Sequence, residues 1–169
     1  MRRLNTLTAA INLLLLLALA IPAGDTAAQG ANSLVGTWTV VTNDNIDASG
    51  KRTPTFGADL RGQLVFTANG RYILLYTRAN LPKFASDNRL KGTAEEYQAV
   101  VAGSLAHFGK YTVDEKDKTF TFHVEASTYP NWVGTTQKRP YTVSSDELKF
   151  GTAAATGGGR AELVFKRVK

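Results

Sequence analysis

The groups able to do acid–base or ligand chemistry cluster in one stretch and the segment after it. Residues 122–135 read FHVEASTYPNWVGT, with His123 and Glu125 two apart, then Tyr129, Pro130, Asn131 and Trp132. Gln137, Arg139 and Tyr141 follow at alternate positions, and the second histidine is His107. In a strand, residues two apart share a face. His123 and Glu125 then stand with Thr121, against Phe120, Phe122 and Val124. Gln137, Arg139, Tyr141 and Val143 oppose Thr136, Lys138, Pro140 and Thr142, a set suited to water, so the first set points inward.

Two registers are open. If Glu125 stands opposite Gln137 and His123 opposite Arg139, a polar wall of His123, Glu125, Gln137 and Arg139 lines the interior. Glu125 then reaches diagonally to a buried Arg139 that needs a carboxylate. A one-residue slip gives the opposite picture, with phenylalanines inside and His123 and Glu125 in water. On the polar wall, His123 has the chemistry of an acid/base and Arg139 that of an oxyanion or enolate holder. Tyr129 and Trp132 flank a proline turn and can form an aromatic rim for a small apolar ligand. His107 shares a face with Leu105, Tyr111 and Val113, as a hydrogen-bonded core histidine or a ligand contact. Two histidines without clustered carboxylates do not make a metal site, and there is no cysteine. Ser104 and Ser127 lack a nucleophile elbow. The glycines at 157–159 precede a strand rather than a helix, so they are not a phosphate loop. No cofactor is implied.

The elements that must position these groups read as short strands between turn signals. They are LVGTWTVV (34–41), RGQLVFT (61–67), RYILLYTR (71–78), LAHFGKYTV (105–113), TFTFHVEAS (119–127), TTQKRPYTV (135–143), ELKFG (147–151) and RAELVFKRV (160–168). Asn69-Gly70 marks a tight antiparallel hairpin. Residues 42–59, rich in Asn, Asp, Gly and Pro, read as a loop. One helix is expected at 93–103, between the third and fourth strands. Thr93 and Glu96 suit a capping box, Tyr97, Val100 and Val101 fall on one stripe, and Gly103 can end it. Eight antiparallel strands with short turns can close into an up-and-down barrel able to hold one small ligand, with the helix capping an end.

The chain has 169 residues and a net charge of +6. Met1-Arg2-Arg3, an apolar run at 11–23 and small residues Thr26 and Ala28 have the layout of a secretory signal peptide. The run is shorter than the ~20 residues a membrane span needs. Cleavage after Ala28 leaves a tail at 29–33 and a barrel domain at 34–169, with no membrane span and a net charge of +5, two basic and one acidic residue having gone. The basic residues are scattered, without the stripe that tracks nucleic acid. The expected product is secreted or periplasmic, a monomer or weak dimer.

LVGTW carries the Gly-x-Trp signature of lipocalins. Gly57, Asp59, Arg61 and Gly62, then Thr67, Gly70 and Arg71, then Pro82, Phe84 and Ala85 match further motifs. So do Gly92, Thr93, Glu95, Glu96 and Tyr97, and His123, Val124, Glu125, Pro130, Asn131, Trp132, Val133, Gly134, Gln137 and Arg139. On these residues the chain resembles the bacterial lipocalin-like domain family from Leu34 to about Val168. The family often doubles the histidine, and Phe122 stands in that place here. The resemblance implies a lipocalin-like barrel with an interior cavity and no settled activity; the expected occupant is a small hydrophobic or amphipathic ligand. It also implies a structural stack of Arg167 over Trp38, a contact worth ~1 kcal/mol. The match at His123, Glu125, Gln137 and Arg139 favours the polar wall. An isomerase- or cyclase-type enzyme acting in the same cavity is the alternative, and an envelope or stress protein without a dedicated ligand a third.

Overall fold

The computed structural model describes residues 33–155 and 159–169. The expected signal peptide lies outside the described residues, as do residues 29–32 of the tail. The strands are β1 (Gly36–Ile46), β2 (Arg52–Pro54), β3 (Leu60–Phe66), β4 (Arg71–Arg78), β5 (Ser104–Asp114), β6 (Thr119–Ser127), β7 (Thr136–Val143), β8 (Glu147–Thr152) and β9 (Arg160–Arg167). An α-helix, α1 (Ala94–Gly103), precedes β5, and a 3-10 turn (Pro130–Trp132) precedes β7. The sheet order is β2-β1-β3-β4-β5-β6-β7-β8-β9, every pair antiparallel, and β1 also pairs with β9. That last pairing closes β1 and β3–β9 into an eight-stranded barrel, leaving β2 outside the ring.

Two features differ from the reading of 42–59 as loop. β1 runs on through Asn43–Ile46, because β9 supplies partners for turn-type residues: Asn43 faces Leu163 and Asn45 faces Ala161. Residues 52–54 then add β2 to the other side of Asp44–Ile46. The helix therefore follows the fourth strand, not the third. Its capping box forms as expected, with Thr93 N–H donating to Glu96 Oε2 at 2.8 Å and Glu96 N–H to Thr93 Oγ1 at 3.2 Å. The apolar stripe packs only in part, however: Tyr97 tilts against Phe84 and Val100 is half-buried. Val101 is 75 % exposed and only Gly103 is buried. The helix is held at its start, where Glu96 Oε1 accepts from Ala85 N–H and the Tyr97 hydroxyl from Gly92 N–H. None of its residues lines the cavity described below, so it does not cap the barrel interior.

Short connections gather at one end of the barrel. Gly70, at φ +78, makes the β3–β4 turn, a backbone region open to glycine at little cost. That end is sealed by Trp38, fully buried, whose Nε1 donates to Leu34 O at 2.8 Å. The Arg167 guanidinium sits 4.0 Å from the Trp38 ring centroid and donates to the carbonyls of Ser33, Val35 and Ser145. Above this floor lies an aromatic core of Phe66, Tyr72, Tyr111, Phe120, Phe122, Phe150 and Phe165. Long connections gather at the other end, where the site is.

Two bulges set which side chains face in. In β1, Trp38 and Val40 point inward, then the pairing with β9 shifts at Val41 and the inward set becomes Asn43 and Asn45. In β6, Phe120, Phe122 and Val124 are buried, and the pairing with β5 shifts around Glu125, so that Ser127 meets His107. Gly109 lies at this second bulge because nothing larger fits: a methyl there would stand 2.0 Å from the His123 carbonyl oxygen.

Candidate functional site

At the open end, β1, β4–β9 and the segment after β2 enclose a cavity of about 110 Å³. Its wall is mostly apolar, with Phe56, Leu74, Leu105, Phe122, Trp132, Phe150 and Leu163. Its polar groups are few: Asn43, Asn45, Thr55, Tyr76, His107, Gln137, Arg139 and Thr152. An apolar enclosure with a handful of convergent polar groups is the usual form of a small-molecule site.

Arg139 is the one charged side chain among the lining residues described. Alternation on β7 turns it inward with Gln137, while Lys138 and Pro140 face water. Its Nη2 donates to Gln137 Oε1 at 2.5 Å, and its Nη1 donates to Thr152 Oγ1 at 3.2 Å and Lys138 O at 3.3 Å. These acceptors are all neutral, and no described carboxylate pairs with it. Burial lowers its pKa, with Tyr76 and Tyr72 acting in the opposite sense. A guanidinium keeps its charge even so.

His107 is 4 % exposed and shares a hydrogen bond of 2.8 Å between Nδ1 and the Tyr72 hydroxyl. The rings of Tyr72, Phe122 and Trp132 pack edge-on around it. Burial, and then the charge of Arg139, push its pKa down to about 4, so the imidazole is neutral at neutral pH. Burial raises the hydroxyls of Tyr72 and Tyr76 above the ordinary phenol range, which keeps them protonated. Asn45 Oδ1 is buried without a hydrogen-bond partner among the described residues.

The structure divides the residues singled out from sequence. Gln137, Arg139, His107 and Trp132 meet at the cavity. His123 and Glu125 do not. The β6–β7 register places Phe122 opposite Gln137 and Phe120 opposite Arg139, three residues from the register of the polar wall. Three is odd, so the faces exchange. His123 faces outward and bonds Thr112 Oγ1 through Nε2 at 3.1 Å. Glu125 forms a two-pronged pair with Arg71 on the outer surface, at 2.6 and 3.2 Å, which lowers its pKa. Tyr129 is exposed and packs edge-on against Trp132. Tyr141 is buried in the core, its hydroxyl donating to Glu115 Oε1 at 3.0 Å, and does not line the cavity. Sequence reasoning missed Asn43, Asn45, Phe56, Tyr76 and Thr152. For Tyr76 a signal was available, since Tyr72, Leu74 and Tyr76 alternate along β4. Asn43 and Asn45 gave none, as asparagine marks turns more often than strands.

No helix among the described residues is long and apolar enough to cross a membrane.

Part of this chain is similar in sequence to a known protein. A 4′-hydroxy-3′-methoxypropiophenone carrier protein of Aspergillus oryzae, ppsC, is 35 % identical over 81 residues, covering 44 % of this chain and 73 % of that protein. A solved redesigned β-barrel aligns with 82 % of this chain and 95 % of its own, at 19 % identity and a TM-score of 0.45. Residues 35–168 match the family model described as a lipocalin-like domain, and with its closed antiparallel barrel the chain belongs to the lipocalin-like domain family.

Proposed function

We infer that this protein binds a small, largely apolar aromatic molecule inside the barrel and carries it rather than transforming it. The observation that bears most weight is the cavity itself, walled by Phe56, Phe122, Trp132 and Phe150 and open at one end of a barrel sealed at the other. Its size suits one aromatic ring with short substituents. Gln137, Arg139, Tyr76 and the asparagines fix orientation through polar substituents, as such groups do in apolar sites. The similarity to a protein named as a carrier of a phenolic propiophenone supports the same reading.

Titration with 4′-hydroxy-3′-methoxypropiophenone, followed by Trp132 fluorescence, tests it. Saturable one-to-one quenching is expected, and Leu74→Trp, which fills the cavity, should abolish it. Failure of this molecule and of a panel of one-ring aromatics to bind would leave the barrel without a dedicated ligand.

Turnover in the same cavity is the second reading, favoured by the presence of His107 and Arg139 on one lining. His107, not His123, is then the acid/base. A His107→Gln protein that binds a ketone normally but no longer exchanges its α-hydrogens for deuterium would establish it. Export belongs to the same proposal, with the mature protein a monomer or weak dimer outside the cytoplasm. Sequencing the N-terminus from an envelope or medium fraction should find it near Gln29, and an intact Met1 there refutes cleavage.

A further inference from the structure

Arg139 is a cation inside an apolar enclosure with only neutral partners. Removing a charge from water is costly unless an opposite charge or a full set of hydrogen bonds compensates. Structural arginines meet this need with a carboxylate or with a shell of carbonyls, as Arg167 does with Ser33, Val35 and Ser145. Arg139 has neither. Three acceptors touch two of its nitrogens, two of them at 3.2 Å or longer.

The surroundings supply no anion from any strand. β4 presents Leu74 and Tyr76, β5 presents Leu105 and His107, and β6 presents Phe122. β8 contributes Phe150 and Thr152, β9 contributes Ala161 and Leu163, and β1 contributes Asn43 and Asn45. Tyr72 and Tyr76, which feel the charge of Arg139, remain phenols, and His107 remains neutral. The carboxylates of the neighbouring strands are turned outward: Glu125 pairs with Arg71, and Glu162 and Asp44 pair with Arg52.

We propose that the cavity takes its ligand as an anion, an aromatic molecule whose acidic ring hydroxyl is ionised and seated on the Arg139 guanidinium. This rests on the cavity reading given under the proposed function. Gln137 and Thr152 hold the guanidinium through its two terminal nitrogens, and the aromatic walls take the ring. The bound hydroxyl gives its proton to bulk buffer, and the oxyanion completes the charge balance that the protein leaves open. Charge-assisted pairs of this kind are the strong ones. An isosteric neutral ether lacks the charge and leaves the cation uncompensated.

4-Nitrophenol, whose phenol and phenolate absorb differently, and 4-nitroanisole, its neutral ether, are the probes. Saturating protein should lower the ionisation midpoint of bound 4-nitrophenol by one pH unit or more, a tenfold or greater preference for the phenolate. The anisole should bind at least tenfold more weakly than the phenolate. Arg139→Gln should remove the shift, and Arg139→Lys should keep part of it. Lys149→Gln removes a charge on the outer face of β8, away from Arg139's hydrogen-bond partners, and should leave the shift as it is. A midpoint that is unchanged or raised on binding overturns the proposal on the wild-type protein alone, whether or not a variant folds. Equal loss of the shift in Lys149→Gln and Arg139→Gln also overturns it, because net charge then explains the effect. Binding of both probes with equal affinity sinks the anion and leaves the cavity reading standing, whereas binding of neither sinks both.

Discussion

Replacing Phe122 and its neighbour His123 in turn tests the orientation of β6, on which the whole site depends. Phe122 is 1 % exposed, and five rings surround it: Tyr72 at 4.1 Å between centroids, Phe120 at 4.8 Å, His107 at 5.5 Å, and Phe66 and Phe150 at 6.1 Å. A buried phenylalanine cut to alanine costs ~3–5 kcal/mol. One side of this ring borders the cavity and has fewer contacts to lose, so the lower end applies, about 3 kcal/mol. With a urea m-value of about 2 kcal/mol/M, the unfolding midpoint falls by ~1.5 M. His123→Ala removes one hydrogen bond to Thr112 on the outer face and should change stability by ~0.5 kcal/mol or less. Equilibrium urea melts followed by far-UV circular dichroism measure both. A His123→Ala protein losing more than the Phe122→Ala protein would mean the faces of β6 are exchanged, and the account of the cavity would fail with it.

At the sealed end, Trp38→Ala should cost ~3–5 kcal/mol, and Arg167→Ala a smaller amount in the same direction, both read from urea melts. A Trp38→Ala protein as stable as wild type would remove that tryptophan from the core. His107 makes stability pH-dependent. Its folded pKa of about 4 lies below the ordinary 6.5, so the unfolded chain takes up a proton first as the pH falls. The stabilisation is full above about pH 6.5 and is lost toward pH 4, by about 3 kcal/mol in total. His107→Gln should flatten that part of the stability–pH profile, and an unaltered slope would place the loss on other groups. Gly109→Ala should destabilise strongly and expose β5–β6 amides to hydrogen exchange, since the added methyl meets the His123 carbonyl at 2.0 Å. Wild-type protection in this variant would mean that the bulge tolerates a side chain there.

The strands were legible in the sequence because period-2 alternation survives wherever one face is buried and the other wet. Phe120, Phe122 and Val124 against His123 show it, as do Gln137 and Arg139 against Lys138. Register was not legible. The 3-10 turn and its flanking residues between β6 and β7 set how far the strands slide past each other, and an odd offset reverses every assignment of inside and outside. Bulges defeat the pattern in the same way. Beyond Val41 the inward positions change parity, which hid Asn43 and Asn45 twice over: they sit out of phase and are residues that strands disfavour. The inward turn of Gln137 and Arg139 came through because polar residues alternated with others still better suited to water. What surrounds Arg139 depended on tertiary pairing, and the carboxylate expected beside it is on the other side of the wall.

The ends of the described chain have their own bearing on how the barrel can be held. Trp38 pairs with Arg167, Val168 N–H donates to Thr37 O, and Arg167 reaches Ser33 O. Both ends of the described domain therefore emerge beside the same plugged floor, and the turns after β3, β5 and β7 share that end. The cavity lies toward the far end, where Asn45, Thr152 and Ala161 line it. A tether at either end grips the barrel by its base and leaves the mouth pointing away from whatever anchors it. A fusion partner or a solid support joined there leaves the path of a ligand clear, and so would a lipid surface.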